Sequence, residues 1–205
     1  MIRVTVFDYG AGNLHSLLKA LAAPGVEVRV ETDPVAALDT DALVLPGVGA
    51  FGAAAERLAP GRATMADALR GGLPCLGVCL GMQLLFDGSD EGPGAGLGVI
   101  PGRVTRLAAP RVPHIGWNAV VSASKEEVLF TDAPLDIVYY AHSYACRPTD
   151  VTSVTAWTEE GEDRFPAALR WRRTVGVQFH PEKSSAAGVR FVRTFVAGCG
   201  DRSVR

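Results

Sequence analysis

The chain lacks long apolar runs, an excess of charge of either sign, and the cysteine patterns of disulfide scaffolds and zinc sites. Each absence removes a class of function. The first apolar run, Ile2 to Phe7, ends at Asp8. The N-terminus therefore does not read as a signal peptide, and no stretch approaches the ~20 apolar residues of a membrane helix. A cytosolic, cytoplasmic protein is expected. Lys and Arg number 20 against 22 Asp and Glu and are scattered, which leaves no electrostatic footprint for nucleic acid or an anionic membrane. The one basic cluster, Arg170-Trp171-Arg172-Arg173, reads as a polar hairpin turn between apolar runs. Cys75, Cys79, Cys146 and Cys199 are too few and too irregularly spaced for a disulfide framework. They form no CxxC pair, and His15, His114, His142 and His180 stand apart from them, so neither a metal nor a cofactor is expected. No repeat or low-complexity tract is visible. What is present is 205 residues that are 48% hydrophobic, enough for one sizeable core and one domain spanning 1–205.

Ile2 to Phe7 is short, β-branched and closed by Asp8-Tyr9-Gly10, a buried strand entering a tight loop. Leu14, Leu17, Leu18 and Leu21 then recur at helical spacing. Val26 to Val30 and Ala42 to Leu45 predict strands, the second ending in Pro46-Gly47-Val48-Gly49. The alanine-rich stretch Phe51 to Leu69 predicts helix, broken at Pro60-Gly61. Pro74 to Val78 reads as strand, Leu80 to Phe86 as helix, and the Gly- and acid-rich stretch Gly88 to Gly98 as loop. Beyond it Gly102 to Leu107, Ile115 to Val121, Ile137 to Tyr144, Val151 to Thr158, Ala167 to Trp171 and Val175 to Phe179 are strand-like, and Ala186 to Ala197 is a closing helix. Alternating strand and helix in the first half calls for a parallel sheet covered on both faces, to which the second half adds antiparallel strands. The predicted fold is a three-layer α/β sandwich with a flavodoxin-like, mostly parallel mixed sheet and an antiparallel C-terminal part.

Gly77-Val78-Cys79-Leu80-Gly81 has the form of a nucleophile elbow with cysteine where α/β-hydrolases place serine. A residue on so sharp a strand-to-helix turn needs neighbours without side chains, and the following helix N-terminus favours a thiolate. The plainer alternative is a buried structural cysteine, a description that suits Cys75 better. A cysteine nucleophile needs a base, and the base an orienting group. In Val177-Gln178-Phe179-His180-Pro181-Glu182, His180 lies just past a strand end, and the Pro181 between them biases His180 toward an extended conformation, so His180 and Glu182 can point to one side. The rival base is His142. If strand alternation holds, Tyr140, His142 and Tyr144 share one face, and His142 is packed and hydrogen bonded there; His114 and His15 are weaker candidates still. An oxyanion formed on an amide carbonyl needs preorganised donors. The backbone of Gly47, Val48 and Gly49 with the amide of Leu80 can make such a hole, although the segment taken alone reads as a generic strand-ending loop; the flanking glycines would let the Val48 peptide rotate, a hole that forms on demand.

The elbow with Met82-Gln83-Leu84-Leu85, together with the His180-Pro181-Glu182 segment, resembles the class I glutamine amidotransferases. More narrowly, Asp8-Tyr9-Gly10-Ala11-Gly12-Asn13-Leu14, Pro46-Gly47-Val48-Gly49-Ala50-Phe51, Pro113-His114-Ile115-Gly116-Trp117-Asn118 and Tyr140-Ala141-His142-Ser143-Tyr144 resemble the glutaminase subunits of imidazole glycerol phosphate synthases. The resemblance runs nearly end to end. It implies a triad of Cys79, His180 and Glu182, an oxyanion site bordered by Gly47, Val48 and Gly49, and glutamine held by Gln83, Glu91, Ser143 and Tyr144. It also implies a partner, the (β/α)8 cyclase subunit, which receives ammonia in histidine biosynthesis. Nothing else in the chain reads as a second active site, so the acceptor chemistry is expected on another chain. The loop Tyr9 to Leu14, with Asn13, and the residues Tyr140 and Lys183 are expected at that interface. The rival readings are a glutaminase serving another synthase, a partner-independent cysteine peptidase or γ-glutamyl hydrolase, and a non-catalytic binding module.

Overall fold

The computed structural model describes residues 1–10, 12, 14–122, 130 and 133–200. In chain order the strands are β1 (Ile2–Phe7), β2 (Val26–Glu31), β3 (Ala42–Leu45), β4 (Cys75–Val78), β5 (Gly88–Ser89), β6 (Gly102–Arg106), β7 (His114–Ala119), β8 (Val121–Ser122), β9 (Ile137–His142), β10 (Tyr144–Pro148), β11 (Val154–Glu160), β12 (Asp163–Trp171) and β13 (Thr174–Val177). The helices are α1 (His15–Leu21), α2 (Phe51–Leu58), α3 (Arg62–Arg70), α4 (Leu80–Gln83) and α5 (Ser185–Cys199).

The main sheet runs β2-β1-β3-β4-β13-β12-β11-β8. Its first five strands are mutually parallel, and β12, β11 and β8 continue antiparallel. Strands β3, β4 and β13 are buried at every position, as expected of parallel strands covered on both faces. On one face Val4, Val6, Val44, Leu76 and Val78 pack with Leu17 and Leu21 of α1 and with Phe191 and Phe195 of α5. On the other, Leu43, Leu45 and Cys75 pack with Phe51 and Leu58 of α2, Met65 and Leu69 of α3, and Leu80 and Met82 of α4. These are the three layers and the mixed sheet expected from the alternation of elements.

Several expectations shift locally; among them, the predicted loop Gly88 to Gly98 contains β5, and the strand predicted over Ile115 to Val121 divides into β7 and β8, which join different sheets. The helix predicted over Leu80 to Phe86 is a single turn, because the following loop folds back and donates Leu97 N–H to the Leu84 carbonyl (2.7 Å), Gly98 N–H to Phe86 (3.2 Å) and Val99 N–H to Leu85 (3.0 Å). The strand predicted from Val151 starts at Val154, since Asp150 caps a 3-10 turn by accepting Thr152 N–H at 2.9 Å. The strand predicted over Ile137 to Tyr144 divides at Ser143: β9 pairs with β7, whereas β10 turns away to pair with β6. The predicted hairpin turn at Arg172-Arg173 joins β12 to β13, with Arg172 at φ 53.

Candidate active site

Cys79 follows the last residue of β4 and holds φ 47, ψ −103. For a residue with a side chain this is a sparsely populated conformation, costing on the order of 1–3 kcal/mol. The surroundings impose it. A Cβ on Gly81 would stand 2.0 Å from the Leu45 carbonyl oxygen, and one on Gly77 2.8 Å from the Gly81 backbone. The chain can turn this sharply only because both positions lack side chains, and Cys79 N–H is tied to the Val177 carbonyl at 2.7 Å.

His180 leaves β13 in extended conformation, φ −100 and ψ 94. Its N–H bonds the Tyr139 carbonyl at 2.8 Å, and its carbonyl accepts the Ser184 hydroxyl at 2.7 Å. Its ring Nδ1 donates to Glu182 Oε1 at 2.8 Å, with both side chains almost completely buried. That bond fixes the tautomer and leaves Nε2 for the sulfur. Cys79 and His180 meet over Gly47: a Cβ there would lie 2.9 Å from His180 Cε1 and 3.0 Å from Cys79 Cβ. Burial opposes an imidazolium, but the Cys79 sulfur and the Glu182 carboxylate outweigh it and raise the His180 pKa to about 10.

Cys79 and His180 open into a cavity of about 400 Å³. Its wall includes Gly47, Val48, Gly49 and Leu80, the residues expected around an oxyanion, and Gln83, Glu91, Ser143 and Tyr144, those expected around glutamine. Gly49 sits at φ +116, a conformation that favours glycine. The buried Tyr9 hydroxyl donates to the Pro46 carbonyl and pins the start of this loop. Glu91 Oε2 accepts Phe51 N–H at 2.9 Å, at the start of α2. Gln83 Nε2 and His142 Nδ1 both donate to the Tyr144 carbonyl, each at 2.9 Å.

The rival bases are occupied elsewhere. His142 Nε2 faces His114 Nδ1 at 3.3 Å, and burial lowers the His142 pKa to about 3. His114 is likewise lowered by burial and stacks on Tyr140, and His15 is exposed at the start of α1.

The class I glutamine amidotransferase profile matches residues 5–198, nearly the whole chain. The chain belongs to this family. Among relatives in the amidotransferase family, the imidazole glycerol phosphate synthase subunit HisH of Halobacterium salinarum is 41% identical over 97% of this chain and 94% of its own length. The protein of the same name from Leifsonia xyli is 43% identical over 94% of this chain and 97% of its own. A crystal structure of a glutamine amidotransferase superposes with a TM-score of 0.70 at 21% identity, covering 97% of this chain and 99% of that one. A glutamine amidotransferase from Thermotoga maritima does so with a TM-score of 0.64 at 19% identity, covering 96% and 83%. The two superpositions speak for the amidotransferase fold.

One expected interface residue requires correction. Tyr140 is completely buried, its hydroxyl 2.6 Å from Thr158 Oγ1 and its ring against Phe165 and Phe179. Strand alternation gives the reason: Val138, Tyr140 and His142 form the inward face of β9, and the residue turned outward is Tyr139. Lys183 lines the cavity and places Nζ 5.9 Å from the Tyr139 ring. Asn13 and Ala11 lie outside the described residues. Gln178, which carries no role in the sequence motif, is a buried amide just past β13 whose Nε2 lies 3.5 Å from Cys79 Sγ.

The electrostatics predict a pH profile for this amidotransferase. His180 holds its proton at neutral pH and loses it as pH rises through about 10, so the alkaline limb of turnover should lie far above the ordinary imidazole range. Glu182→Gln removes a carboxylate that favours the imidazolium and leaves the opposing effect of burial in place. The limb should therefore move to lower pH, as read from kcat/KM for glutamate release against pH.

Proposed function

We propose that this chain is the glutaminase subunit of an imidazole glycerol phosphate synthase, hydrolysing L-glutamine in the cytoplasm and passing the ammonia to a (β/α)8 cyclase subunit for histidine biosynthesis. The observation that carries this reading is the convergence of Cys79 and His180 on one cavity walled by Gly47–Gly49, with Glu182 bonded to the far nitrogen of His180, in a chain about 40% identical over its length to proteins named as HisH subunits.

Cys79 attacks the carboxamide carbon as thiolate, with His180 carrying the proton. The oxyanion is met by the Gly47–Gly49 backbone and Leu80 N–H. As the C–N bond breaks, His180 Nε2 protonates the departing nitrogen and ammonia leaves a γ-glutamyl thioester on Cys79. Water then gives a proton to His180 and attacks the thioester, and the C–S electron pair returns to sulfur. Gln83, Glu91, Ser143 and Tyr144 hold the substrate amino-acid end, Glu91 as partner of its ammonium and the Ser143–Tyr144 backbone as clamp on its carboxylate.

The exit for ammonia is argued from the ribbon β7–β9. Ile115, Trp117 and Ile137 are 63%, 55% and 59% exposed. Ile115 pairs with Ala141, Trp117 with Tyr139 and Ala119 with Ile137, so one face of the ribbon is apolar and open. Ile115 and Ala141 of this face line the catalytic cavity, as does Lys183, whose Nζ lies over the Tyr139 ring. A cyclase seated here covers the mouth of the cavity, and the ammonia meets its acceptor without crossing bulk water. Trp117, a large aromatic beside Tyr139 at 6.1 Å between centroids, is the expected anchor. Trp117→Ala should weaken cyclase binding by about tenfold or more and leave the basal turnover of the isolated chain unchanged, as measured by titration calorimetry and glutamate release.

The deciding experiment is glutamate release with and without the cyclase and its nucleotide substrate. Low basal turnover that rises on complex formation, as the Val48 peptide turns its N–H toward the oxyanion, supports this coupling. High turnover in the isolated chain, indifferent to the partner, overturns it.

A further inference from the structure

We propose that the Gln178 side chain is a fourth catalytic group, whose amide N–H donates to the Cys79 sulfur and holds it as thiolate alongside His180. The inference rests on Cys79 as the nucleophile, and the orientation of the amide follows from a chain of contacts anchored on backbone.

The Tyr144 carbonyl can only accept. The Gln83 group 2.9 Å from it is therefore the amide nitrogen. That nitrogen has a second proton, which goes to the oxygen of Gln178 at 3.3 Å. With its oxygen committed to Gln83, Gln178 turns its own nitrogen toward Cys79 Sγ, 3.5 Å away. Reversing Gln178 would face oxygen to sulfur and nitrogen to nitrogen at once. His142, also donating to the Tyr144 carbonyl at 2.9 Å, holds the anchor in place. Gln178 is completely buried, and its own N–H is fixed to the Ala167 carbonyl at 2.9 Å. The contact is thus preorganised and dry.

A sulfur anion in this interior needs such donors. Burial pushes the Cys146 thiol well above the ordinary range and the Cys199 thiol up to about 12. A neutral amide donor binds thiolate more strongly than thiol or thioester. It therefore favours the anion before attack. It again stabilises the sulfur when the thioester breaks, the C–S electron pair returns to it, and the water proton has gone to His180.

Two variants separate this role from support of Gln83. Gln178→Glu keeps an acceptor for Gln83 and loses the donor toward sulfur, whereas Gln178→Leu loses both. The readout is carboxamidomethylation of Cys79 by iodoacetamide in the full chain, followed on the Cys79 peptide against pH, with circular dichroism to verify folding. In both variants the alkylation midpoint should move up by about 1–2 pH units, so that alkylation below it slows about 10- to 100-fold. The Glu variant should be the worse of the two, because it places a carboxylate beside the sulfur. In the complex with cyclase, kcat should fall in the same proportion while KM changes less than about threefold. Alkylation profiles of the folded variants that superimpose on the parent profile overturn the proposal, and if Gln178→Leu does not fold, Gln178→Met, neutral, similar in shape and without a donor, decides in its place. Failure of the parent Cys79 to react is a distinct result and overturns the nucleophile assignment itself.

Discussion

Cys79→Ala is expected to abolish glutamine turnover by about four to six orders of magnitude while the chain stays folded. The size of the loss follows from the mechanism: without sulfur no thioester forms, and only the residual effect of substrate binding and the oxyanion donors remains. The fold should survive because the sulfur is a small part of the packing. Alanine meets the same backbone demand at φ 47 that cysteine meets, and the N–H to Val177 is untouched. Thermal unfolding should shift by a few degrees at most, and the measurement that checks the prediction is glutamate release in the complex alongside that melt. Turnover within tenfold of the parent would end the case for Cys79.

Gly81→Ala, two residues away, should do the opposite and remove the fold along with the activity. The added Cβ would stand 2.0 Å from the Leu45 carbonyl oxygen and 2.6 Å from its carbon. Ordinary overpacking against flexible side chains costs ~1–3 kcal/mol. Here the obstacle is backbone of β3, which is hydrogen bonded between β1 and β4 and cannot retreat without opening the sheet. Against a typical total of ~5–15 kcal/mol, the variant should be recovered largely insoluble or with its unfolding midpoint lowered by more than ten degrees, by calorimetry. A soluble Gly81→Ala protein with parental melting would mean that the elbow is not so tightly packed.

The contrast between these neighbours marks how much of the site was legible beforehand. The elbow could be read because its demand is local: a positive φ at Cys79 between glycines at positions 77 and 81 is a statement about five consecutive residues. His180 and Glu182 could be read as a pair for the same reason, with one residue between them. The split of the expected strand at Ser143 could not, since β10 leaves β9 to pair with β6 from an earlier part of the chain. The inward placement of Tyr140, by contrast, follows from a local rule. The alternation that sets it on one face with His142 also turns it inward and leaves Tyr139 half-buried on the outer face. Gln178 stood in view as a polar residue just past the apolar strand β13, yet its role depends on Gln83, 95 positions earlier.

By itself the sequence determined the alternation of strands and helices in the first half, the two-sided burial of the parallel strands, the turn that presents Cys79, and the family to which the chain belongs. These follow from hydrophobic periodicity and from where glycine and proline permit or forbid a backbone conformation, properties that act over a few residues. Tertiary structure alone decided that the imidazole reaches the sulfur, which way the Gln178 amide points, and which face of the β7–β9 ribbon stays open. Those outcomes depend on strand pairings between distant parts of the chain, and no local preference encodes which side chain a folded sheet will bring to face another.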